Sequence, residues 1–381
     1  MMTHRKQVEL EGEVDSRFSE VAGVAENYLS DGAELGISLY VDLNGETLID
    51  AWGGHADRDK TIPWRSDTIT NLWSSTKVVT AIAVLAAATQ GKLELDTPVS
   101  QYWPEFSERG VLVRHVLGHT AGLPAWQAPF SLDQMYDTQY ATARLAEQAC
   151  WWPPGTAGGY HGTTFGMLLG EIIRRTSGAT LSEYIDSELA QPLGADFQLG
   201  VREGDLDRVA GVLLGYLPES YDSLPEDSLT RRALTAPKLD VDAANTRAWQ
   251  GTPNGALNGH SNARGVAKIA RVVSLGGKIE GREYVSSDIL ERIFEVQAEG
   301  PDLILGVPFT RGIGFALPDK SERPWIPDGR VCFWGGWGGS IVIMDLDRGL
   351  TISYQMNKMN PGSVVGSELT ERYVSAIYSA L

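Results

Sequence analysis

Ser74 and Lys77 stand three residues apart in Asn71-Leu72-Trp73-Ser74-Ser75-Thr76-Lys77, and Val78 to Thr89 beyond them is almost wholly apolar and rich in good helix formers. A hydroxyl and an amine at this spacing project from one helix face. In an apolar shell the charged ammonium is disfavoured, the lysine pKa falls, and the neutral amine is able to take the serine proton. The pair is therefore a candidate nucleophile and base for acyl transfer. Gly91 stands where a left-handed helix stop belongs. Taken alone, Ser-x-x-Lys also describes a helix cap followed by a surface lysine. The apolar run after Lys77 favours the chemical reading.

Two later segments add groups that such chemistry needs. Tyr160 follows the turn-rich Trp152-Pro153-Pro154-Gly155-Thr156, and Phe333-Trp334-Gly335-Gly336-Trp337-Gly338-Gly339-Ser340 joins two short strand patterns. Glycines beside a strand let a backbone approach a ligand closely. An amide there, with that of Ser74, would make a two-donor hole for a tetrahedral oxyanion. Read singly, Tyr160 is a core tyrosine and the glycines a tight hairpin.

In this order the segments resemble the serine β-lactamase and penicillin-binding superfamily, in its class C-like branch and nearest the family VIII carboxylesterases. His115-Val116-Leu117-Gly118-His119-Thr120-Ala121-Gly122-Leu123-Pro124, Pro154-Gly155-Thr156 and Tyr354-Gln355-Met356-Asn357-Lys358-Met359 extend the likeness over most of the chain. The resemblance implies Ser74 as acylated nucleophile, Lys77 and Tyr160 as a coupled acid/base pair, and the backbone amides of Ser74 and Trp337 as oxyanion hole. It implies no metal and no organic cofactor. Two departures matter. The asparagine that β-lactamases carry two places after the tyrosine is Gly162 here, and their Lys-Thr-Gly strand is Trp334-Gly335-Gly336. Loss of both polar handles points toward esters, with Trp334, Gly335, Gly336, His161 and Trp126 expected around an apolar pocket. A β-lactamase, a D-amino-acid amidase or peptidase, or an acyltransferase on the same site are the alternatives. A non-catalytic penicillin-recognising protein is the alternative of another class.

Composition sets the outer limits. The 381 residues are 43% hydrophobic and 21% charged, ordinary for a globular protein of two lobes. A net charge of −17 argues against a nucleic-acid or polybasic membrane surface. Two cysteines, no apolar leader and no run long enough to span a bilayer lead us to expect a cytoplasmic protein, while the small ester as partner is what the resemblance implies. The sequence does not give an oligomeric state.

The elements that must position these residues follow from periodicity. Asp15–Ser30 and Thr164–Thr176 read as amphipathic helices, as do Leu181–Leu189, Ser261–Leu275, Ser286–Val296 and Ser367–Leu381. Leu112–Gly118 reads as a helical turn. Ile37–Asp42 and Glu46–Trp52 flank Asn44-Gly45, a strong hairpin signal, and Val331–Phe333, Ser340–Asp345 and Leu350–Gln355 read as further strands. Residues 199–258 show few periodic runs. The expected fold class is α/β (α+β): an antiparallel sheet flanked by helices, built by residues 1–73 and 261–381, with a mainly helical lobe of 74–260 inserted and the site between them. His115 and His119 have the spacing of zinc ligands without the accompanying glutamate, and Gly259-His260-Ser261-Asn262-Ala263 imitates a lipase elbow without its last glycine. Neither is expected to act.

Overall fold

The computed structural model describes residues 8–215, 221–362 and 365–381. Six antiparallel strands form the main sheet: β1 (Glu11–Val14), β2 (Gly36–Leu43), β3 (Glu46–Gly54), β4 (Val331–Gly335), β5 (Ile341–Asp345) and β6 (Leu350–Met356). Their spatial order is β1-β3-β2-β6-β5-β4, so β6 from the C-terminal part pairs with β2 from the N-terminal part, Ile352 opposite Val41. The β2–β3 hairpin turns at Asn44 and Gly45, both at positive φ (54° and 86°), as a two-residue hairpin turn requires. β1 is an added edge strand that its charged Glu11-Gly12-Glu13 pattern conceals, and β4 runs two residues past the expected Phe333 to include Trp334 and Gly335.

Helices cover both faces, so β2 and β6 are buried on both sides even though Ser38, Asp42, Thr351, Ser353 and Gln355 alternate with apolar residues along them. On one face lie α1 (Ser19–Asp31), which ends at Gly32 with φ +84°, and α5 (Glu368–Ser379). The Tyr373 ring of α5 sits 4.9 Å from Tyr354 of β6. On the other lies α4 (Ala263–Ser274), whose Ser274 hydroxyl is 2.6 Å from that of Thr351 in β6. Behind α4 comes α2 (Thr76–Thr89), buried from Thr76 to Ala87, and then α3 (Thr164–Ser177) of the helical part. A helix enclosed on all sides can be apolar all round, as α2 is. The described residues of 199–258 include short helical turns, among them Leu229–Thr235, Val241–Asn245 and Arg247–Gly251, too short for a periodic signal. Among the described residues no helix is long and apolar enough to cross a membrane.

One buried acid makes stability pH-dependent. Glu34 is enclosed beside Tyr354, whose hydroxyl donates to it, and burial pushes its carboxyl up to about 8. Because the folded pKa exceeds the unfolded value near 4.5, the folded chain holds the extra proton between these pH values. Stability contributed by the neutral acid is complete below the unfolded pKa and is lost as pH rises through the folded one, at up to about 1.4 kcal/mol per pH unit. Glu34→Gln keeps an acceptor for Tyr354 and should raise the melting temperature at pH 8 by several degrees, with little change at pH 5. Parallel thermal scans at the two pH values check this.

Candidate active site

Ser74 does not open α2 itself; it lies in a tight 3-10 turn, Trp73–Ser75, immediately before it. The turn is pinned from several sides. Thr70 and Asn71 pair with Ser261 and His260, the Leu72 N–H donates to Gly259 O (2.9 Å), and the Gly259 N–H donates to the Thr76 hydroxyl (2.9 Å). Trp73 adopts φ +47°, a strained conformation for a bulky residue, and its indole is wedged against Trp249 (5.4 Å) and Trp337 (5.2 Å). Packing of this kind holds a strained turn in place and so fixes the serine hydroxyl.

Lys77 projects from the first turn of α2 and is completely buried. Its Nζ lies 3.0 Å from Ser74 Oγ and 3.0 Å from Tyr160 Oη, while Oγ and Oη are 2.5 Å apart. Nζ also donates to the carbonyl oxygens of Gly162 and Ala256, both at 2.9 Å. Carbonyls only accept, so they claim two N–H bonds of the amine. A neutral amine then has its lone pair left, directed at the two hydroxyls. Burial lowers the Lys77 pKa well below its ordinary value, which favours that neutral form. Burial also pushes the Tyr160 phenol up to about 12, against the Ser74 hydrogen bond that draws it down. The cluster thus joins a lysine, a tyrosine and a serine by short contacts.

The end of β4 reaches the same turn. A Cβ at Gly336 would stand 2.5 Å from Leu72 O and would also strike the Ser340 hydroxyl, so only glycine lets the strand come this close. Ser75 and Ser340 meet across the junction, hydroxyl to hydroxyl, at 3.1 Å. Trp337 follows, its ring on Trp73 next to the serine.

Three of the expected pocket residues are held by partners within the fold. The Trp126 ring is only 1% exposed, lies 4.3 Å from Phe130 and 3° from parallel, and its N–H donates to Ala141 O. His161 is fully buried; Nδ1–H donates to Gly159 O (2.7 Å) and Nε2 accepts from the Leu123 N–H (3.1 Å), so it ties loops together behind Tyr160. Trp334 is fully buried and backs the tyrosine, ring centroids 5.8 Å apart. His115 accepts from the Leu112 N–H, and His119 Nδ1 accepts from the His161 N–H. One nitrogen of each ring is thus taken by a backbone amide. Ser261 of the elbow-like pentapeptide donates to Asp196 O. A cavity of about 290 Å³ lies apart from the cluster, lined by Ala56, Asp57, Ile62 and Val212 among others. Sequence reasoning missed the two carbonyls on Lys77, because backbone groups carry no residue-type signal. The Asn254 and Asn258 side chains that shape the loop around Ala256 were the available hint.

A family model described as Beta-lactamase matches residues 21–373. The chain belongs to the β-lactamase family. A solved family VIII carboxylesterase superposes on 98% of this chain and 100% of its own, with TM-score 0.90 and 31% identity. A penicillin-binding protein homologue from Caulobacter crescentus superposes with TM-score 0.88 at 29% identity, over 98% of this chain and 100% of its own. Esterase/beta-lactamase LipL of Mycobacterium tuberculosis is 27% identical across 91% of this chain and 83% of its own length. The β-lactamase-family chain described here is by these relations a serine hydrolase of the β-lactamase fold with carboxylesterase neighbours.

Proposed function

We infer that this chain is a carboxylesterase that cleaves small esters of short or medium acyl chain through an acyl-enzyme on Ser74. The observation that carries the reading is the contact set of the Lys77 amine, with two carbonyls taking its hydrogens and its free electron pair facing the Ser74 and Tyr160 hydroxyls. Ser74 Oγ attacks the ester carbonyl carbon as its proton passes to Nζ. The amides of Ser74 and Trp337 receive the oxyanion. Collapse expels the alcohol, which takes the proton back through Tyr160, and water attacks the acyl-enzyme by the same route.

Preference for esters over β-lactams or peptides rests on missing handles. A Cβ at Gly162 would lie 3.3 Å from the Tyr160 ring, so an asparagine there would press on the phenol. The strand position of the carboxylate-binding lysine holds buried Trp334. Likeness to a family VIII carboxylesterase supports the same choice. An intact-mass time course with p-nitrophenyl butyrate and with benzylpenicillin, run beside steady-state rates, tests it. Fast ester turnover should exceed penicillin hydrolysis by roughly a hundredfold or more in kcat/KM, as expected where a charged partner is lacking. The reverse order would establish a β-lactamase instead, and mass addition without turnover a binding protein.

A further inference from the structure

We propose that the buried ion pair Asp302–Arg311 positions Tyr160 for proton transfer: Asp302 holds the tyrosine backbone, and Arg311 holds Asp302. The proposal rests on the acid/base reading of Tyr160 given above. Asp302 Oδ1 accepts the Tyr160 N–H (3.2 Å) together with those of Ile304 and Leu305 (both 2.8 Å), and the Leu303 N–H donates back to Gly158 O (2.9 Å). The 302–305 turn is thereby clasped to the segment that delivers the phenol. Arg311 Nη1 lies 2.5 Å from Asp302 Oδ2, with the two side chains 1% and 0% exposed. Arg311 in turn stacks over Phe309 (4.5 Å) and stands 6.0 Å from the Trp334 ring that backs Tyr160. A Cβ on Gly158 would come within 3.2 Å of Nη1, so the arginine fits beside a glycine.

A clasp of this kind does not need charge. Elsewhere the same fold ties buried loops with neutral amides, as Asn258 does for the Asn254 N–H and Asn262 for the Gly265 N–H. Among the described residues this is the one ion pair with both side chains at or below 1% exposure. Burying two ions costs several kcal/mol each before their attraction is counted, and apolar replacements of such pairs are often neutral or stabilising. Stability alone therefore explains the pair poorly. Its position explains it better. Arg311 Nε and Nη2, like Asp302 Oδ2, have no hydrogen-bond partner, and the cation acts on Tyr160 with the opposite sign to Asp302 and more strongly. The other ionisable neighbours of the phenol are Lys77, His119 and His161. Burial holds both histidines neutral, His161 at about 4.

The test replaces both charges with apolar groups, Asp302→Leu/Arg311→Met, in the full chain. Expected is a folded protein whose kcat on p-nitrophenyl butyrate falls by about tenfold or more while KM stays within about threefold, with the acid limb of kcat moved to higher pH. Arg311→Lys, which keeps the cation, should recover most of the kcat that Arg311→Met loses. A double variant with kcat within about twofold of wild type, or with KM rising as kcat falls, would overturn the proposal. So would failure of both Arg311→Met and the double variant to fold, which would make the pair a stability element. Tyr160→Phe in the same assay separates the two layers. If it stays active, the acid/base reading of Tyr160 fails; if it is dead while the double variant is normal, only the positioning role fails.

Discussion

Replacing Ser74 by alanine should lower kcat for p-nitrophenyl butyrate by roughly 10⁴-fold or more and leave the melting temperature within a few degrees. The size follows from the loss of the covalent path: among the described residues the hydroxyls bonded to the Lys77 amine are those of Ser74 and Tyr160, and burial pushes the Tyr160 phenol up. Ser75 is adjacent in sequence, but its hydroxyl faces Ser340 at 3.1 Å, away from Nζ. The acyl adduct expected by intact mass in the wild type should be absent with the same substitution. Adding Lys77→Met to Ser74→Ala should cost almost nothing further, since residues that act in one step do not contribute independently. Retention of most esterase activity in Ser74→Ala, with the protein shown free of contaminating hydrolase, would refute the nucleophile assignment.

How much of this was legible beforehand depends on whether a feature is written in side chains or in backbone. The buried helix α2 was readable because Val78 to Ala88 has no polar face to turn outward, and an enclosed helix is what such a run demands. The β2–β3 hairpin was readable from Asn44-Gly45, residues that accept positive φ. The turn before α2 was misjudged by a few residues, because tertiary packing of Trp73 between Trp249 and Trp337 sustains a backbone conformation that local preference opposes. Trp126 and His161 draw notice in the sequence as aromatic and imidazole groups near a motif, but the partners they hold, Ala141 O, Gly159 O and the Leu123 N–H, are ones that only the folded loops supply. Asp302 and Arg311 gave no signal at all. They are nine residues apart in a stretch without periodicity, and their meaning comes from the distant Tyr160 amide that they meet.

That dependence on backbone partners makes Lys77 the most informative residue to change. Lys77→Arg keeps N–H donors for Gly162 O and Ala256 O, yet guanidinium does not give up its proton in proteins. If Lys77 served only to hold loops and to steady the serine by donating to it, arginine would preserve much of the rate. If the amine must be neutral and accept a proton, arginine should fail as completely as methionine, each lowering kcat by about 10³-fold. The wild-type pH profile carries the same sign. Burial lowers the amine pKa and so favours the neutral base, and kcat/KM should fall as acidification protonates the Lys77–Tyr160 pair. The arginine variant has no such base to lose, and its residual rate should lack that acid limb. A wild-type profile flat down to pH 5, or an arginine variant within about tenfold of wild type, would show that the electron pair facing Ser74 is not what drives the attack.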